Sequence, residues 1–399
     1  MPEYPQSKHF KYVIVGGGMT AAAAASGIRK VDSEGPICII GDDPHPPYDR
    51  PPLSKGLWKD KKLESIWRAI DMPGLELRTG RRAHSLDTQK NCIVDQDGLE
   101  LTFDRLLLAT GGTPRRLKPD VEGIIYYRTL DDYQYLRSLT EKRDHFFIIG
   151  GGFIGSEIAA ALAMNGKRVT MAFPEDAIGA RVYPADLAQF LNGFYREKGV
   201  EVLPGEMIAS AAKTDKGYSL ETRSGKKIAA DGVVAGLGIV PNVELADKAN
   251  LEVDNGIVVN EFLRTRCPNI YAAGDAANFY NQALNRRMRV EHEDNANTMG
   301  DAAGRAMAGN PQPYHHLPFF YSDLFDLGYE AVGELDSQLE TFADWKEPNR
   351  EGVIYYLRAG RVRGVLLWNV WGQVDKAREL IAEPGPFRPE NLKGRLPAA

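Results

Sequence analysis

The feature that most limits what this chain can fold into is a glycine pattern that occurs twice. Residues 11–15 form a short apolar run that reads as a strand, leading directly into Gly16-Gly17-Gly18-Met19-Thr20-Ala21 and an alanine-rich stretch suited to a helix. A strand, a G-x-G-x-x-A turn and a helix in that order bring a pyrophosphate against a helix N-terminus. Gly16 makes the tight turn, Gly18 lets the backbone approach the phosphates, and Ala21 allows close strand–helix packing. The helix start offers unpaired N–H groups and about half a positive charge. A strand at residues 37–40 then ends at Asp42-Asp43, about 20 residues past the turn, where a carboxylate can accept from a ribose hydroxyl. An ordinary glycine turn is the alternative; the strand, helix and acid around this one weigh against it.

The pattern recurs. Residues 146–149 read as a strand, Gly150-Gly151-Gly152-Phe153-Ile154-Gly155 is a full G-x-G-x-x-G, and a helix over 156–165 and a strand over 168–173 follow. That strand ends at Glu175, about 20 residues past the last glycine. Two complete fingerprints imply two dinucleotides. A carboxylate at Glu175 repels a 2′-phosphate, which favours NADH, although Arg181 is close in sequence and NADP sites place an arginine nearby. Two further strands end in small-residue turns, LLLATGG at 106–112 and NIYAAGD at 269–275. An Asp at a strand's carboxyl end can bond a polyol such as a ribityl chain; Gly274-Asp275 alone is also a plain turn.

Length and composition bound the rest. A chain of 399 residues has room for about two to three domains. Its formal charge of −5 excludes a broadly basic nucleic-acid binder. The three cysteines, Cys38, Cys92 and Cys267, lie far apart, which excludes a disulfide framework, a CxxC pair and a cysteine metal cluster. The histidines show no HExxH spacing, so no metal is expected. No apolar run approaches the roughly 18 residues of a membrane span. Residues 1–11 are polar and fit neither a signal peptide nor an Arg-rich transit sequence, so a cytoplasmic protein is expected.

The order GxGxxA, acid, ATG, GxGxxG, acid, AGD resembles the two-dinucleotide flavoprotein reductases. Pro47-Tyr48-Asp49-Arg50-Pro51-Pro52-Leu53-Ser54-Lys55 is similar to the segment shared by ferredoxin reductases of oxygenase systems and apoptosis-inducing factors. Phe173-Pro174-Glu175, residues 241–246 (PNVELA), Arg289-Val290-Glu291-His292, Tyr321-Ser322-Asp323-Leu324, Gly328-Tyr329-Glu330-Ala331 and residues 352–370 resemble the apoptosis-inducing-factor branch. The resemblance covers about residues 11–385. It departs at Glu293 and Asn295, where relatives often carry His or an aromatic residue, and at Tyr321, where Trp is common. The long C-terminal insertion of the animal proteins is missing, so their cell-death roles do not carry over. With no cysteine between Cys38 and Cys92, a dithiol relay of the disulfide-reductase kind through that segment is excluded too.

The resemblance implies an α/β fold: two Rossmann-like dinucleotide-binding domains of glutathione-reductase-like plan, and a C-terminal α+β domain with an antiparallel sheet. The FAD domain is split, 1–120 and 248–310; the NAD domain spans 121–247 and the C-terminal domain 311–399. In the last, residues 352–369 suit a hairpin turning at Ala359-Gly360, followed by a helix over 373–382 and a Pro-rich tail without regular structure.

It also implies site residues. FAD falls to Gly16, Gly18, Met19, Thr20, Ala21, Asp42, Asp43, Arg50, Lys55, Ala83, Ala109, Thr110, Gly111, Arg128, Gly274, Asp275, Glu291, His292 and Tyr321. The nicotinamide dinucleotide falls to Gly150, Gly152, Phe153, Ile154, Gly155, Glu157, Glu175, Gly238, Glu291 and Glu330. Lys55, after a Pro-Pro-Leu-Ser stretch that cannot be helical, and Glu157, in the first helical turn, pair beside the flavin N5 as the catalytic residues; a surface lysine and a dipole-favoured glutamate are the plain alternative. Phe153 either covers the flavin or packs in the core. Arg286, Arg287 and Arg289 either dock an acidic partner or form a solvated charge run, and His315-His316 reads as linker.

The expected function is an FAD-dependent NADH:acceptor oxidoreductase, hydride passing from NADH to flavin N5 and electrons to quinone, oxygen or a redox protein. The alternatives are the ferredoxin reductase component of an oxygenase system and an NADH-sensing redox switch; a homodimer is open to either.

Overall fold

The computed structural model describes residues 7–396. The start of the polar N-terminal stretch and the last three residues of the tail lie outside the described residues. The fold is mixed α/β, and the chain divides into two compact units. One comprises the described chain up to Asp49, Leu63–Thr113 and Val240–Pro318; the other comprises Arg50–Lys62, Pro114–Ile239 and the chain from Phe319 onward.

The first unit is built on a sheet in the order Leu75–Arg78, Ile37–Ile40, Ser7–Val15, Glu100–Leu108, with all four joined in parallel. All four residues of Ile37–Ile40 are buried, as a parallel strand covered on both faces requires. The long strand Glu100–Leu108 takes two partners on one edge. Its first residues pair antiparallel with Cys92–Asp95, and its last three pair parallel with Ile270–Ala272. The helices Met19–Arg29 and Glu293–Met307 meet backbone to backbone. A Cβ at Gly304 would lie 2.1 Å from the Ala24 carbonyl oxygen, and one at Gly300 would lie 2.5 Å from that of Thr20. The alanine run at 21–25 is therefore one side of a close helix pair, small because the partner backbone lies against it.

The second unit holds a parallel sheet in the order Val200–Pro204, Arg168–Phe173, His145–Ile149, Gly232–Ala235. It also holds an antiparallel sheet in the order Phe319–Leu324, Leu327–Gly333, Arg361–Trp368, Glu351–Arg358, Glu340–Glu347. The hairpin turns at Ala359 and Gly360, both at positive φ (+51° and +72°), the signature of a two-residue turn whose twist matches the strands. Helix Val374–Ala382 follows. The tail was expected to lack regular structure, yet it carries a short helix, Pro389–Leu392. Pro389 stands in its first turn, where a missing N–H leaves no bond unmade, and Asn391 Oδ1 accepts from the Arg388 N–H at 3.0 Å.

Two other expectations need correction. The helix after the second fingerprint starts at Phe153 rather than 156, capped by the backbone of Gly152, so Glu157 is its fifth residue and its first turn holds no acid. Pro51–Leu53 does form one 3₁₀ turn, since prolines in a first turn need no N–H acceptor. Among the described residues no helix is long and apolar enough to cross a membrane.

Candidate functional site

The two glycine turns are near copies. Gly16 and Gly150 sit at φ +122° and +112°, a region that side chains rarely enter, and a Cβ there would strike Ala109 O at 2.1 Å or Gly236 O at 2.4 Å. Each turn is anchored to the neighbouring strand: Gly16 N–H donates to Ile40 O at 2.7 Å, and Gly150 N–H to Ala172 O at 2.9 Å. Gly18 and Gly152 cap their helices with similar backbone angles (φ −98°, ψ −164° and φ −84°, ψ −168°) and without a side-chain cap. A Cβ on either would meet nothing within 4 Å. Each helix therefore starts beside a glycine with open space on its Cβ side and no side chain capping its first N–H groups. Phosphates fit both places.

In the first unit the glycine turn, Asp42, residues 109–111 and Gly274-Asp275 lie just past the carboxyl ends of strands. The 16–18 turn touches Ala109, and a Cβ on Gly274 would strike Thr20 Oγ1 at 2.3 Å, so Gly274-Asp275 abuts the first turn of Met19–Arg29, which Ala21 also enters. Thr110 donates to Asn242 O at 2.6 Å, and Asn242 N–H donates to Gly111 O at 2.9 Å, which pins the turn after Glu100–Leu108. Asp42 is exposed at the end of its strand. Asp43 instead closes a local turn, accepting from His45 N–H at 3.0 Å and Tyr48 O–H at 2.9 Å. Ala83 opens the strand Ala83–Asp87, packed on the core. His292 is the N-cap of Glu293–Met307, and Glu291 pairs with Arg289 at 2.6 Å.

Arg68 joins this group without any motif to announce it. Its guanidinium holds Asp49 at 2.6 Å, reaches the Met19 carbonyl at 3.4 Å and lies 3.9 Å from Glu293. Two of the three arginines in the run at 286–289 are tied to backbone carbonyls. Arg289 Nη1 donates to the Asp275 carbonyl at 3.1 Å, and Arg287 Nη1 donates to Val259 and Asn278 carbonyls at 3.1 and 3.2 Å. His316 is more than linker, since it pairs with Asp294 at 2.5 Å. Asn295 is buried and holds the Val290 carbonyl at 3.0 Å.

The second unit contains Gly150, Gly152, Ile154, Gly155, Glu175, Gly238 and Glu330, together with Arg50, Lys55, Arg128 and Tyr321 from the FAD set. Glu175 pairs with the exposed Arg181 at 2.6 Å. Gly238, at φ +78°, accepts from Arg115 N–H at 2.9 Å, and Glu330 accepts from Gly372 N–H at 3.0 Å. Phe153 is half-buried with its ring edge-on to Phe320, 5.3 Å between centroids. Arg50 caps the 3₁₀ turn, and the Arg128 N–H donates to Asp132, which also closes the capping box of helix Leu130–Thr140.

Lys55 and Glu157 do pair, Nζ to Oε2 at 2.9 Å. Glu157 is only 3% exposed, so it is no surface helix acid. The same Oε2 accepts from Ser54 O–H at 2.5 Å, and Oε1 accepts from Ser322 O–H at 2.6 Å. The Tyr321 ring lies under the ammonium, 5.2 Å from Nζ to centroid. Ser54 stands in the segment 47–55 and Ser322 in 321–324, yet nothing local in the sequence joins them to the glutamate. Tyr127 and Trp58 both donate to the Leu53 carbonyl, holding the stretch that delivers Lys55.

The model of the family described as pyridine nucleotide-disulphide oxidoreductase matches residues 10–300. The chain belongs to the pyridine nucleotide-disulphide oxidoreductase family. A second model, apoptosis-inducing factor, mitochondrion-associated, C-term, matches residues 303–351 and 344–383. This family member is 33% identical to apoptosis-inducing factor 1, mitochondrial, of Dictyostelium discoideum, over 96% of this chain and 80% of the relative. It is 31% identical to putidaredoxin reductase of Pseudomonas putida, over 96% and 94%. The solved covalent putidaredoxin reductase–putidaredoxin complex superposes with a TM-score of 0.89 at 30% identity, covering 96% of this chain and 95% of that one. As an oxidoreductase of this family it works with FAD and a nicotinamide dinucleotide. Despite the family's name, all three cysteines are free, and burial pushes the Cys38 thiol up to about 12. Among the described residues no three metal-ligating side chains cluster.

Proposed function

We propose that the chain oxidises NADH through FAD held at the first glycine turn, with NADH at the second, and passes the electrons to a ferredoxin-type redox protein. The observation that carries this is the duplicated turn, two glycine-capped helix starts of one geometry, each at the head of its own parallel sheet and each followed by an acid. The finer architecture belongs to the same reading: two Rossmann-like domains, 1–120 with 248–310 and 121–247, and a C-terminal α+β domain over 311–399. So do a cytoplasmic location and the homodimer.

In the first unit the N–H groups of residues 18–21 would hold the FAD pyrophosphate, Asp42 a ribose and Asp275 the ribityl chain. Ala83, Ala109, Thr110, Gly111, Glu291 and His292 would border the group. Arg50, Arg128 and Tyr321 belong to the same FAD assignment. In the second, Gly152 would admit the NADH phosphates, Gly150 and Gly155 would shape the turn beneath them, Glu175 would take the ribose, and Phe153, Ile154, Gly238 and Glu330 would line the rest. When bound, the flavin supplies the capacity to take two electrons from NADH and release them onward. Lys55 contributes a positive charge held in place by Glu157, where preorganised charge acts more strongly than in water.

Coverage of nearly the full length of both this chain and putidaredoxin reductase supports the choice of acceptor. The match of the C-terminal region to the apoptosis-inducing-factor model favours a second reading, an NADH-responsive redox switch. One anaerobic titration tests both. The visible flavin band should bleach with NADH and not with NADPH, and return rapidly on adding an oxidised ferredoxin. A band that returns only slowly with ferredoxin, quinone or oxygen supports the switch. Protein that takes up no FAD refutes the whole reading.

A further inference from the structure

We propose that Ser322 is a positioning residue whose hydroxyl fixes the Glu157 carboxylate and, through it, the Lys55 ammonium; this rests on the reading that the Lys55–Glu157 pair serves the flavin. Three donors converge on this buried carboxylate, and they are not equivalent. Ser54 and Lys55 are chain neighbours and both act on Oε2, at 2.5 and 2.9 Å. Ser322, from the edge strand Phe319–Leu324, donates to Oε1 at 2.6 Å.

The asymmetry matters because the terminal torsion of a glutamate is broad and roughly two-fold. A carboxylate gripped at one oxygen can swing about its last bond and carry the ammonium with it. Gripped at both, it cannot. The Ser322 contact lies in the range of charge-assisted O–H···O bonds, the stronger kind. Its own geometry is well fixed, since Ser322 is 1% exposed and pairs in register with Tyr329 on the next strand. Its neighbour Tyr321 sets a ring against the same ammonium. One dipeptide of the antiparallel sheet therefore touches both members of the pair, the ring on the cation and the hydroxyl on the anion.

The test compares the full chain with Ser322→Ala and Ser322→Cys, the thiol being a weak donor of similar shape. Two quantities are read besides turnover: the rate at which an acylating reagent labels Lys55, followed by peptide mass, and the flavin midpoint potential. Ser322→Ala should label at Lys55 about fivefold faster, as expected for one lost hydrogen bond, with the other lysines unchanged. The potential should become more negative, because the positive charge is less firmly held. The kcat with NADH should fall about tenfold with KM nearly constant. Ser322→Cys should move the same way by less, and it carries the test if the alanine variant does not fold. Labelling and potential equal to the parent's in the folded variant overturn the proposal. The two readings fail separately: if Lys55→Met leaves flavin reduction by NADH intact while Ser322→Ala still speeds labelling, Ser322 positions Lys55 but the pair does not serve the flavin.

Discussion

Gly152 and Gly155 stand three residues apart in one fingerprint and respond to an added methyl group in opposite ways. At Gly155 a Cβ would lie 2.0 Å from the Gly150 carbonyl oxygen, so Gly155→Ala must push strand from helix and should cost about 3 kcal/mol or more, read as a fall in denaturation midpoint. At Gly152 the methyl group meets only open space at an allowed φ of −84°. Gly152→Ala should shift stability by no more than about 1 kcal/mol while raising the KM for NADH about tenfold, because the methyl occupies the phosphates' approach. Asp32 gives a pH prediction. Lys11 at 2.7 Å, the Gly35 and Glu34 N–H groups and the Tyr12 hydroxyl hold its carboxyl well below the usual carboxylate range. A lowered folded-state value stabilises the fold above the unfolded value of about 3.9 and loses that contribution as pH falls through the folded one. Asp32→Asn should therefore cost about 1–2 kcal/mol at neutral pH, a gap that urea melts should find closing in acid below about pH 4. The fingerprint glycines were legible because the turn itself requires them: Gly16 and Gly150 sit at positive φ, and Gly155 lies against Gly150 five residues before it. Ser322 and Arg68 were not, because their partners lie far along the chain: Ser322 meets Glu157 only once an edge strand has been folded into place.

Elements show the same division. Strands 37–40 and 168–173 are legible to their ends because a buried parallel strand is a mostly apolar run bounded by turn or charged residues. The second fingerprint helix was read three residues late, since a backbone cap leaves no Ser, Thr or Asp to mark the start. That error hid the burial of Glu157 by placing it in the solvated first turn. The C-terminal hairpin was legible from its turn, though Ala359 is an unusual residue at φ +51°. Asparagine tolerates that conformation better, and the site is exposed. Ala359→Asn should raise stability by about 0.5–1 kcal/mol with unchanged NADH kinetics, measured by thermal melting.

For the whole molecule, cofactor and stability are linked. A ligand that binds only the folded chain at 100 times its dissociation constant adds about 2.7 kcal/mol. Stripping FAD should lower the melting temperature, and re-adding it should restore the value in a concentration-dependent way; NADPH should protect far less than NADH. The helix pair Met19–Arg29 and Glu293–Met307 bears on how readily that binding occurs. Their backbones touch at Gly300 and Gly304 with no side chain between them to rearrange. One helix starts at the first glycine turn, and its second residue, Thr20, lies directly against Gly300 of the other, which braces that start. An incoming cofactor then meets N–H groups already in place and loses little entropy in ordering them. The run of five alanines does more than favour a helix: it lets a second backbone brace the one that begins at the first glycine turn.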